Sequence, residues 1–119
     1  MRVRLVDIAH ARSGDKGDTA NIGVIALREE WYAVIARYLT ADATAGHMAP
    51  LIRGGVERFE LPNIWALNFL LHGALDGGGT RSLRIDAQGK VLSTALLRLV
   101  IDVPDAEALA LALPPFKGA

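Results

Sequence analysis

Arg12-Ser13-Gly14-Asp15-Lys16-Gly17-Asp18-Thr19-Ala20-Asn21 is the densest run of polar, charged and glycine residues in an otherwise apolar chain. Before it, residues 2–11 alternate imperfectly. Val3, Leu5 and Ala9 share one side with Asp7, and Arg4, Val6, Ile8 and His10 share the other, which predicts a strand. After it, residues 22–27 form a short apolar run rich in Ile and Val, read as a buried strand. Gly14 and Gly17 permit a tight turn, so the two strands are expected to pair as a hairpin with 12–18 as its loop. The rest of the chain is read as a scaffold for that loop.

Working outward, residues 29–39 change period. Trp31, Val34, Ile35, Tyr38 and Leu39 recur at helical spacing, with Glu29 and Glu30 suited to the positive end of a helix. Thr40 predicts the cap of a second short helix with Asp42 in its first turn; Gly46 weakens that helix and Pro50 ends it. Gly54-Gly55 marks a break, and residues 56–61 alternate as a third strand ending at Pro62. Residues 64–75 are apolar nearly all round and predict a buried helix, on which Trp65, Asn68 and His72 share a face. Asp76-Gly77-Gly78-Gly79-Thr80 breaks it. A fourth strand at 82–86, a turn at 86–90 and a strand at 91–103 follow, although Leu92, Leu96, Leu99 and Val100 also fit a helix. Pro104 opens a last short helix over 105–113. The pattern is α+β: a mainly antiparallel sheet with helices packed on one face, one domain over 1–113 and a loose tail over 114–119.

Composition narrows the function. The chain has 119 residues, 51% hydrophobic and 22% charged, with zero formal net charge. That is enough chain for one domain with its own core. A neutral balance supplies no basic field, so neither nucleic acid nor an anionic membrane is an expected partner. Without cysteine there is no disulfide and no thiolate chemistry. The N-terminus carries no apolar leader and no stretch reaches membrane-span length, so the expected location is cytoplasmic.

Candidate chemistry concentrates in two clusters. In the first, glycine-rich backbone at Gly14 and Gly17 would turn amides toward one point as an anion nest, with Arg12 and Lys16 as charge partners and Ser13, Asp15, Asp18 and Asn21 alongside. Lys16 is one of only three lysines in an arginine-preferring chain, with Lys90 and Lys117. The plainer reading is a polar turn whose Asp and Ser side chains bond their own backbone. The run lacks P-loop spacing and the dinucleotide fingerprint. Asp15 and Asp18 do not form a calcium loop, and with Lys16 between them a salt-bridged turn is the simpler reading. The second cluster is Asn68 and His72, then Gly77, Gly78 and Gly79, where glycines permit close backbone approach. Asn68 in an apolar segment must find hydrogen bonds, to a neighbouring element or to a ligand. His10, His47 and His72 have no metal-ligand spacing; His72, in apolar surroundings, is the histidine best placed for proton transfer, and Asp15 and Lys16 join it as candidate catalytic residues. No metal and no cofactor is expected. Trp31 and Trp65 are read as core.

The blocks Asp7-Ile8-Ala9-His10-Ala11-Arg12-Ser13-Gly14-Asp15-Lys16-Gly17-Asp18 and Ala20-Asn21-Ile22-Gly23-Val24-Ile25-Ala26 resemble the opening of the AtuA-like ferredoxin-fold domain family. Val56-Glu57-Arg58-Phe59-Glu60-Leu61-Pro62-Asn63, Ala66-Leu67-Asn68-Phe69, Leu75-Asp76-Gly77-Gly78-Gly79 and Asp86-Ala87-Gln88-Gly89-Lys90 continue the resemblance in order. It implies a ferredoxin-like α+β fold and a link to acyclic terpene utilisation, where branched acids are handled as CoA thioesters. It carries over Arg12, Ser13, Asp15, Lys16, Asp18, Asn21, Asn68 and Lys90 as site positions without catalytic roles. In AtuA such a domain follows a much larger region. A free-standing version is expected to act as a small subunit beside a large AtuA-type chain with an acyl-CoA or organic-acid ligand, or as a homo-oligomeric interaction module whose motif loops lie in subunit contacts. A third reading is an independent hydrolase or isomerase using Asp15 or His72.

Overall fold

The structure, a computed structural model, describes residues 1–16, 19–73 and 92–117, without the side chains of Asp15 and Lys16. A four-stranded antiparallel sheet has the order β2-β3-β5-β4, with β2 at Ala9–Lys16, β3 at Thr19–Ala26, β4 at Val56–Leu61 and β5 at Ala66–Leu71. A two-stranded antiparallel sheet pairs β1 (Arg2–Arg4) with β6 (Val100–Asp102). The helices are α1 (Tyr32–Tyr38), α2 (Ala41–Met48), α3 (92–97) and α4 (Asp105–Ala110). The α+β reading with a mainly antiparallel sheet holds.

Strand alternation puts one side of the large sheet under the helices. Ala20, Ile22, Val24 and Ala26 of β3 and Leu67, Phe69 and Leu71 of β5 are all buried there. They join Val34, Ile35 and Leu39 of α1 and Met48 of α2 in one core. The stripe read for α1 is therefore its buried side, with a 3-10 turn at Glu29–Trp31 ahead of it. Trp31 lies in the core and its Nε1 donates to the Leu111 carbonyl, joining α1 to the α4 region. The Thr40 cap forms: its Oγ1 accepts from the Ala43 amide at 3.0 Å. Arg58 on β4 donates through Nη1 to the Ala36 and Leu39 carbonyls at 2.7 and 3.1 Å, closing the C-terminal end of α1.

Four sequence expectations are corrected. First, residues 2–11 are not one strand. A 3-10 turn at Leu5–Asp7 carries the chain from the small sheet into the large one, and the alternation resets there, so Ile8 and Ala9 are both buried. Second, residues 12–16 are not loop. They are the paired second half of β2, in register down to Lys16 opposite Thr19. Third, the predicted helix at 64–75 is the central strand β5. A short apolar run fits a strand covered on both edges as well as a buried helix, and the six residues Ala66–Leu71, between Trp65 and the turn at His72 and Gly73, suit the strand. Fourth, the strand predicted over 91–103 is helical over 92–97, with Leu92, Leu96 and Leu99 inward at helical spacing; only Val100–Asp102 is strand, and its partner is β1. Leucine-rich sequence satisfies both periods there. The strand predicted at 82–86 and the turn at 86–90 lie outside the described residues.

The helix predicted at 105–113 is α4, ending at Ala110. The segment beyond Leu113 has an anchor: the Phe116 amide donates to the Arg2 carbonyl at 2.7 Å.

Candidate functional site on the open sheet face

The side of the large sheet away from the helices has no covering element among the described residues. Register arranges its side chains in rows across β2, β3, β5 and β4: His10, Ile25, Ala66, Leu61; then Arg12, Gly23, Asn68, Phe59; then Gly14, Asn21, Leu70, Glu57. Directly opposed residues sit roughly 5 Å apart on one side of a sheet, so each row is a line of neighbours. Thr19 and His72 continue the series at one end, with Thr19 Oγ1 and His72 Nδ1 3.4 Å apart.

Several motif residues therefore meet, by a route different from the one the sequence suggested. Arg12, Gly14, Asn21 and Asn68 share this face. Asn21 Nδ2 donates to Asn68 Oδ1 at 2.8 Å, the hydrogen bond that an asparagine in an apolar strand requires. Gly14 and Gly23 leave a trough between Arg12 and the asparagine pair. Among the described residues, a Cβ added at Gly23 would meet only the Arg12 carbonyl, at 4.0 Å, and one at Gly14 only Asn21 Oδ1, at 3.5 Å. Among the described residues, neither glycine is demanded by a turn, by positive φ or by close packing.

Ser13 goes the other way. Its position opposite Ile22 is on the helix side, and the Ser93 hydroxyl of α3 donates to its Oγ at 2.8 Å. Asp15 is opposite Ala20 and Lys16 opposite Thr19 in the ladder. Extended backbone sends successive amides to opposite sides, so no convergent nest forms over 12–16. Gly17, Asp18, Gly77, Gly78, Gly79 and Lys90 lie outside the described residues.

His72 is held in a polar chain: its Nε2 is 3.1 Å from Glu57 Oε2 and its Nδ1 faces Thr19. Its backbone is clamped by Gly54, whose amide donates to the His72 carbonyl at 2.8 Å and at which an added Cβ would lie 2.7 Å from His72 Cβ. Thr19 belongs to the polar run 12–21, but Glu57 was not singled out by sequence reasoning. Strand parity was the missing signal, because Glu57 stands opposite Leu70, one same-side step from His72. His47 belongs elsewhere, with Nε2 at 2.6 Å from the Ala95 carbonyl.

The apolar end of the face is formed by exposed Phe59, Leu61, Ile64 and Trp65. Trp65 is not core: it is 39% exposed and occupies the left-handed region at φ 57°, where a bulky residue is an outlier. Its amide bonds the Pro62 carbonyl and its carbonyl accepts from Ala26, so the turn into β5 fixes this conformation.

The family model for the AtuA ferredoxin-like domain matches residues 3–102. The chain belongs to this family. The match spans the large sheet, α1, α2 and α3, and nearly all of the small sheet, so the ferredoxin-like reading of the fold stands on sequence and architecture together. No curated protein and no solved structure matches the chain. Among the described residues no helix is long and apolar enough to cross a membrane, and no group of three or more His, Cys, Asp or Glu side chains is placed to hold a metal ion.

Proposed function

We propose that the chain is a small subunit or a domain in acyl-CoA or organic-acid catabolism of the terpene-utilisation kind, and that its open sheet face takes the anionic acyl ligand. The observation that carries this reading is the row Arg12, Gly23, Asn68. A cation and an amide pair stand on either side of a glycine floor that neither fold nor packing requires. The anion contact then comes from side chains, in place of a backbone nest over 12–16. Arg12 supplies a planar donor for a carboxylate or phosphate. The Asn21–Asn68 pair supplies amide donors and acceptors, and Leu70, Ile25 and Phe59 supply apolar surface beside them.

The test is a titration with butyryl-CoA followed by calorimetry. Arg12→Ala is expected to weaken binding about tenfold, the scale of one charge-assisted hydrogen bond. Gly23→Ala is expected to leave thermal stability within about 0.5 kcal/mol, as for a substitution that meets no packed neighbour, and still to weaken binding by blocking the trough. Binding unchanged in both variants contradicts the reading.

A second reading is supported by the exposed apolar end of the face. Phe59, Leu61, Ile64 and Trp65 would form the contact of an oligomerisation module, with a second copy or with a large AtuA-type subunit. Light scattering at micromolar concentration decides the homo-oligomer: a stable monomer removes it. Stoichiometric association with a large AtuA-type chain that is lost in Trp65→Ser supports the subunit form.

A further inference from the structure

The small sheet carries a pair of arginines, Arg2 and Arg4, on strand β1 outside the large sheet. On β1, Val3 faces the core, which sends Arg2 and Arg4 to the opposite side. The two arginines differ in their neighbours. Arg2 stands opposite Asp102 across the ladder, whereas Arg4 stands opposite Val100, so the ladder gives Arg4 no carboxylate. Both guanidinium groups lie against the ring of Phe116, at 5.0 Å for Arg2 and 4.5 Å for Arg4. Phe116 is held there by the hydrogen bond from its amide to the Arg2 carbonyl. Beside this stack is a cleft of about 470 Å³ lined by Arg4, Asp7, Pro114, Pro115, Phe116 and Lys117. That volume lies in the range of small-molecule sites, roughly 300–1,000 Å³. Among the described residues, the Nε of Arg4 is buried without a hydrogen-bond partner. A buried donor in that state is costly and calls for an explanation.

We propose that this cleft binds a small organic carboxylate, with the carboxylate on the Arg4 guanidinium and the hydrocarbon body against Pro114, Pro115 and Phe116. The arginine is pre-ordered by stacking on Phe116, so little rotamer freedom remains to be lost on binding. A carboxylate satisfies the guanidinium in its preferred two-pronged geometry. Lys117, exposed at the rim, adds a second positive charge, and Asp7 restricts the site to ligands whose charge sits on the Arg4 side. The apolar wall distinguishes this ligand from a bare inorganic anion.

The experiment is an NMR titration of the isotope-labelled chain with hexanoate, with inorganic phosphate and hexanol as comparison probes. Saturable shifts are expected at the Arg4, Phe116 and Lys117 amides with hexanoate, with hexanol and phosphate each about tenfold weaker, the scale of losing one charge-assisted contact. Lys117→Ala, at an exposed position, is expected to weaken hexanoate severalfold. Arg4→Lys keeps the charge but removes the planar fork, and is expected to weaken it about tenfold; its amide spectrum shows whether the fold survives. No saturable shift at these amides overturns the proposal, as does hexanoate affinity unchanged in both Lys117→Ala and a folded Arg4→Lys. Phosphate binding as tightly as hexanoate overturns the assigned ligand class. Shifts confined to Arg12 and Asn68 place hexanoate on the open face of the large sheet and overturn the cleft as its site.

Discussion

The two sides of the large sheet are made by the same four strands and differ in what each residue is for. On the helix side, Ala20, Ile22, Val24, Leu67, Phe69 and Leu71 are buried almost without remainder. On the other side, the residues immediately beside them in sequence are Asn21, Gly23, Asn68 and Leu70, two of which are bonded to each other and none of which fills the core. Burial specifies the first set by volume and apolarity. The second set is released from packing and free to carry charge, amides and missing side chains. A one-residue slip of any strand would exchange the two sets, so the core side fixes the register that displays the site.

The largest expected contrast compares two phenylalanines. Phe69→Ala removes a fully buried ring and is expected to cost about 3–5 kcal/mol, whereas Phe59→Ala, on the exposed side, is expected to cost under about 1 kcal/mol. Urea unfolding midpoints measure both, and equal losses would break the comparison. Next is Gly54→Ala. Its Cβ would lie 2.7 Å from His72 Cβ and 2.8 Å from the His72 carbonyl oxygen, an overpacking expected to cost about 1–3 kcal/mol. Changed amide shifts at Thr19 and Glu57 in the same variant would show that the clamp positions the His72 chain. Gly23→Ala sharpens the comparison from the other direction, as the glycine substitution expected to spare stability while reducing acyl ligand binding.

The smallest effect lies behind the core side, where α1 meets α4. The Tyr38 hydroxyl donates to Glu107 Oε2 at 2.6 Å, and this bond, with a lesser contribution from burial, raises the Tyr38 pKa above its ordinary value. The neutral phenol is the form that bonds. The stability from this contact is therefore fully present below the ordinary tyrosine pKa, about 10, and is lost as pH rises through the raised value. Thermal melts of wild type and Tyr38→Phe should differ at neutral pH and converge above that range.

Much of the scaffold is legible in the sequence because single periods are unopposed there. The α1 stripe, the Thr40 cap, β4 and the pairing of β2 with β3 follow from spacing and capping chemistry. β5 is not legible, because a strand at the centre of a sheet is apolar on both sides where Ala66 and Leu70 also lack charge, and its run then matches a buried helix. The error propagates to the site. Read as a helix, 64–75 places Trp65 with Asn68 and His72; read as a strand, it keeps Asn68 and His72 together and adds Glu57 and Thr19 through their neighbours. The segment 12–16 misleads through Gly14, which suggests a turn and instead leaves space on an extended strand. Arg58 and Ser93 bond atoms 19 or more residues away, and local periodicity carries no trace of them.

The most direct test of the open face is an NMR titration of the isotope-labelled chain with butyryl-CoA, read residue by residue. The account predicts saturable shifts at Arg12, Asn21, Gly23 and Asn68, extending to Phe59, with the amides of α1 and α2 unmoved. Shifts confined to the helix side or to the Phe116 cleft, or none at saturating ligand, would contradict it.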